Sequence, residues 1–167
     1  MLTQSFRFLS LLFTALIMGS ALCHVLEMPL KLAMAGADYM VVQQIYGALG
    51  PVGAVLEPAA ILSSAALAFL VRTRRSFIPA VIGTLALVTA LLVWAVVVSP
   101  VNAHWAVAGP RTVPPDFASL RARWKWGHTA HAALLLVSFL ALVVSALVEI
   151  PRRAVAAEAC GRAARAA

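Results

Sequence analysis

Ala21-Leu22-Cys23-His24-Val25-Leu26-Glu27-Met28-Pro29 closes an apolar run that begins at Ser5 and is interrupted only by Arg7. Residues 5–26 are enough to cross a bilayer as one helix. A histidine and a carboxylate three positions apart sit at the end of that run, and on a helix they share a face. Ionisable groups at such a depth are costly, which makes them candidates for function. His128 and His131 repeat the spacing at the start of the last apolar run. The sequence therefore predicts a membrane helix bundle built to bring the two pairs together.

Composition agrees. The chain of 167 residues is 63% hydrophobic and only 11% charged, with mean hydropathy +0.95. Soluble domains are far more polar, so an integral membrane protein is expected, with membrane lipid as its first partner. The formal charge of +7, from 13 Lys+Arg against 6 Asp+Glu, falls mostly beside apolar spans. Cations there orient a chain against anionic lipid. No basic patch interleaved with aromatics is present, so nucleic acid is not an expected partner. The two cysteines, Cys23 and Cys160, lie at opposite ends of the expected topology and carry no metal or redox spacing.

Four spans follow, at about 5–26, 51–71, 77–98 and 127–150, within one domain of residues 1–151. A secretory signal with Gly19-Ser20-Ala21 as cleavage site competes for the first run. That apolar stretch is long for a signal, and a retained span is expected. Residues 27–50 and 99–126 are expected as loops, with Trp105, Trp124 and Trp126 at the membrane–water interface. An Ala/Arg tail occupies 152–167. The fold class is all-α, an antiparallel four-helix membrane bundle, and homo-oligomers stay open. Gly19, Ala66, Gly83 and Ala133 are candidates for close helix contact. Eight cations (Arg7, Arg72, Arg74, Arg75, Arg152, Arg153, Arg162, Arg165) lie on one side and five (Lys31, Arg111, Arg121, Arg123, Lys125) on the other. The positive-inside rule then places both termini in the cytoplasm of a bacterial-type plasma membrane.

Depth along each helix ties the polar groups together. At about 1.5 Å per residue, Glu57 lies about 21 Å above the Arg-rich end, His24 about 26 Å, His131 about 27 Å, Glu27 about 30 Å and His128 about 31 Å. Five ionisable groups from three helices share one layer about 10 Å thick. Two chemistries fit. His24, Glu27, Glu57, His128 and His131 can ligate a transition metal, with iron, copper or zinc matching imidazole and carboxylate donors. Alternatively His24, Glu27 and His128 act as general acid–base groups toward a hydrophobic, phenol-like substrate entering from the bilayer. His104 and Asn102 are expected to cover the layer. The plainer assignments are a solvated histidine at the interface, a Glu57 that only satisfies backbone freed by Pro58, and Arg121, Arg123 and Lys125 on lipid headgroups.

His24-Val25-Leu26-Glu27-Met28-Pro29, the Pro100-Val101-Asn102-Ala103 turn, and the run from Pro114-Pro115-Asp116-Phe117 through Arg121-Ala122-Arg123-Trp124-Lys125-Trp126-Gly127-His128 resemble the anthrone-oxygenase-like family. These are small four-helix membrane proteins, and the resemblance covers about residues 5–148. It implies oxidation of an aromatic or quinone-type small molecule by dioxygen, with Asn102, Trp124 and His128 as the residues carried over. His24 and Glu27 depart from the fungal pattern. The alternatives are a haem-binding electron carrier, with His24 and His128 or His131 as axial ligands, and a non-catalytic scaffold or accessory subunit.

Overall fold

The computed structural model describes residues 1–149; the expected tail at 152–167, with Cys160, lies outside them. α1 (Leu2–Lys31) and α2 (Gly36–Gln43) are followed by a 3-10 turn, Gln44–Ala48. α3 (Leu49–Leu70) comes next. α4 (Phe77–Val93) runs through a π turn, Trp94–Val98, directly into α5 (Ser99–Ala108), and α6 (Phe117–Leu147) completes the fold. Among the described residues there is no strand. Four helices, α1, α3, the α4–α5 rod and α6, are long and apolar enough to cross a membrane. The chain is a multi-pass membrane protein with an all-α bundle. α1 packs on α3 and α6, and α4 packs on the same two, closing a ring.

The long loop expected at 99–126 is not there. Pro100 sits in the first turn of α5, just past the π turn, and the Val96 carbonyl four residues back, left without a donor by the missing N–H, takes Arg123 instead. The expected Pro100–Ala103 turn is therefore helical, and α5 runs on to Gly109, whose φ of 81° ends it. α6 already starts at Phe117, and α1 extends to Lys31 with Pro29 inside it. Only residues 109–116 connect the two rods.

Of the four small residues expected at contacts, Gly83 makes one: a Cβ there would lie 2.9 Å from Leu142 Cγ and 3.2 Å from the Ser138 carbonyl. Gly19 has open space around it, and Ala133 is exposed. The aromatic belt is also reduced. Trp126 is exposed, but Trp105 and Trp124 are buried in a cluster with Tyr39, Phe117, Met28 and Met40. Tyr39 lies edge-on to Trp105 and Phe117, with ring centroids 5.6 and 5.4 Å away. Such edge-to-face packing adds about 0.5–1.5 kcal/mol per pair beyond burial.

The opposite end is stapled by polar groups. Glu149, just past α6, takes Arg7 of α1 at 2.9 Å, Arg74 of the α3–α4 connection at 3.3 Å, and the Ser76 hydroxyl. Ser145 donates to the Ser76 carbonyl at 3.0 Å. Burial works against the charged form of Glu149, but the Ser76 hydroxyl and the Arg7 and Arg74 guanidiniums outweigh it and hold the carboxyl below its ordinary range. A lowered carboxylate pKa contributes stability that is complete above the unfolded value, about 4.3, and is lost as pH falls through the folded one. The melting temperature in detergent should thus drop as pH is taken below about 4. Glu149→Gln should melt lower at neutral pH and lose that part of the acid slope, measured by thermal unfolding at a series of pH values.

Candidate functional site

Near the other end the bundle leaves a cavity of about 460 Å³. Small residues make the room: Ser20 and Ala21 on α1, Gly50, Gly53 and Ala54 on α3, and Ser99, Ala103 and Ala106 on α5. The 3-10 turn contributes Tyr46 and Gly47 as a ceiling. Such a volume suits a drug-sized organic molecule. Four of the five ionisable groups singled out by depth line this cavity: His24, Glu57, His128 and His131.

The three imidazoles form a row. Ring centroids of His24 and His128 are 4.2 Å apart, and those of His128 and His131 are 6.4 Å apart. Each outer imidazole has a carboxylate. His131 Nε2 is 3.0 Å from Glu57 Oε1, in a pair that is 5% exposed on both sides. His24 Nδ1 is 3.4 Å from Glu27 Oε1. His128, in the middle, has a buried Nδ1 with no protein partner. Its ring also lies against Trp124, centroids 4.2 Å apart.

Asn102 and Trp124 form the facing wall. The Trp124 indole N–H donates to Asn102 Oδ1 at 2.9 Å. An indole can only donate, so the bond fixes which amide atom is the oxygen and leaves the Asn102 NH₂ for the cavity. His104 does not join. It is half exposed on the far side of α5, 3.7 Å from Asp116. The expected cover of the site comes instead from Tyr46.

Glu27 is held by Lys31 of its own helix and by a residue of the segment that follows. Lys31, one turn on, is 2% exposed. Its ammonium donates to Glu27 Oε1 at 2.9 Å and to Gln43 Oε1 at 2.6 Å. The same nitrogen lies over three rings: Trp124 at 4.4 Å, Tyr46 at 4.7 Å and Tyr39 at 4.9 Å. The Tyr46 hydroxyl donates to the other Glu27 oxygen, and its ring meets His24 at 4.5 Å. Burial pushes the Tyr39 phenol up, with the Glu27 carboxylate adding to the shift, so Tyr39 stays neutral. The spacing Glu27–Lys31 was a visible i,i+4 pair. Tyr46 and Gln43 carried no comparable signal.

This arrangement does not fit the expected five-ligand metal set. Among the described residues no three His, Cys, Asp or Glu side chains are close enough together to hold an ion. Both Glu27 oxygens are committed to Lys31 and Tyr46, and Glu57 is committed to His131. A haem between His24 and His128 does not fit either, since rings 4.2 Å apart leave no slab for a macrocycle, and His131, the other expected ligand, is held to Glu57 through Nε2 with its Nδ1 buried.

No family model, curated protein or solved structure matches the chain. Its chemistry must be argued from the cavity itself.

Proposed function

We propose that the cavity binds a planar, hydrophobic hydroxyaromatic or quinone-type molecule and prepares it for oxidation by dioxygen, as an anthrone-oxygenase-like enzyme does. The observation that carries this reading is His128. It is a cavity-lining imidazole that no side chain ties up, between two carboxylate-backed imidazoles, opposite an amide whose NH₂ is free.

An anthrone-type substrate carries an acidic C–H across the ring from a ketone. His128 takes that proton, and Asn102 donates to the ketone oxygen as it becomes an enolate. The positive charge gathered on the imidazole row is offset by Glu57 on one side and Glu27 on the other. Dioxygen is the oxidant: the substrate loses two C–H hydrogens, one oxygen atom ends as the new ketone, and the other leaves as water. Tyr46, Trp94 and Trp124 supply flat apolar walls. The Arg-rich end faces the cytoplasm in this reading, and substrate comes from the lipid.

The test is direct. Protein purified in mild detergent is given anthrone in air, and quinone absorbance and oxygen uptake are followed together. The expected result is one dioxygen consumed per quinone formed, well above the rate in protein-free micelles. A rate equal to that of empty micelles removes the enzymatic reading.

A further inference from the structure

The π turn in the third membrane rod accounts for both the cavity and its amide, and resting on the reading above it identifies a positioning device for Asn102. We infer that the turn Trp94–Val98 takes up one residue more than an α-helix allows, and that this extra residue sets which side chains face the substrate. At about 100° per residue, an unbroken helix would continue the buried Leu87–Ala90 face through Val98, Val101 and Trp105. Those three bulky groups would then fill the space that is open. A π turn closes i to i+5, so everything after it is rotated back by about 100°.

The positions agree with this rotation. Counting one residue as absorbed, Ser99, Asn102, Ala103 and Ala106 fall within an arc of about 100° that also holds Leu91 and Trp94. Without the absorbed residue the same six would spread over about 180°. Trp105 lies about 60° outside the arc and reaches the cavity edge with its large ring. Val98, Val101 and Trp105 turn instead onto Tyr39, Phe117 and Trp124, where all three are buried.

Two residues of α6 hold the turn. Arg123 donates to the Val96 carbonyl at 2.7 Å, capping an acceptor on the outside of the bulge. Gly127 gives the turn room, since a Cβ there would come within 2.7 Å of Val98 Cγ2 and 2.9 Å of Val97 Cγ1. Val96 is 63% exposed, on the outer side of the turn.

The experiment changes the residue count and reads the Trp124 indole N–H resonance in ¹⁵N-tryptophan-labelled protein, assigned with Trp124→Phe. Deleting Val96 should straighten the rod yet leave Asn102 in place, so the resonance stays. Inserting one alanine after Val98 should swing Asn102 away and move it. Combining the two changes should restore it, and binding of 1-naphthol should follow the same order. The inference is overturned if the insertion leaves the resonance in place, or if the deletion moves it in folded protein. Should the deletion fail to fold, the insertion alone decides. The indole signal does not depend on any ligand, so a chain that binds no naphthol but shows this pattern would sink the proposed function and keep the register.

Discussion

Replacing His128 with alanine should lower anthrone oxidation by about 10²–10⁴-fold, the range a positioned general base contributes. The loss should be in turnover rather than in binding. His128 lines the cavity and its ring makes no side-chain hydrogen bond among the described residues, while α1, α3 and α5 supply much of the remaining lining. Melting should change little, because removing this ring breaks no hydrogen bond that the structure records at Nδ1. His131→Ala is a useful contrast. It leaves Glu57 buried without its partner, so it should destabilise the bundle as well as slow it. If His128→Ala folds and turns over at the wild-type rate, proton removal happens elsewhere.

Lys31→Ala should destabilise the protein by about 3–5 kcal/mol, the usual cost of stranding one member of a buried ion pair. The ammonium satisfies Glu27 and Gln43 and sits against three aromatic faces. Its removal leaves a carboxylate beside Trp124 and Tyr39 with only Tyr46 and His24 to answer it. Lys31→Met keeps much of the apolar stem and should cost less. Lys31→Met with Glu27→Gln should recover part of the loss, because neither charge is then left alone. Unfolding in mixed micelles measures all three against wild type. A Lys31→Ala protein as stable as wild type would mean that the cage contributes nothing.

Hydropathy alone marks the four spans, because in lipid a helix must be apolar along its whole length. Helical rise alone was enough to put His24, Glu57, His128 and His131 at one depth, and all four line the cavity. Angle was the harder quantity. Every wheel position beyond Val98 is displaced by the π turn, which no residue spacing signals, and His104, expected over the site as part of a loop at 99–126, stands on a helix outside it. Prolines misled in the same region. Pro100 reads as a breaker, yet follows a turn that tolerates it at the start of α5. Gln43 and Tyr46 were hidden for another reason: they reach Lys31 and Glu27 only because the chain folds back after α1, a tertiary event. Trp105 and Trp124 have the composition of an interfacial belt, and packing on Tyr39 and Phe117 takes them inside.

The two ends of this molecule differ in how they can yield. At the Glu149 end, α1, α6 and the α3–α4 connection are tied at a single carboxylate, so the helices there move as one body. The roof over the cavity is a single 3-10 turn fastened to α1 by Tyr46 and, just before the turn, by Gln43. Opening that short roof would break two side-chain hydrogen bonds, whereas parting the helices at the opposite end would break every tie to Glu149.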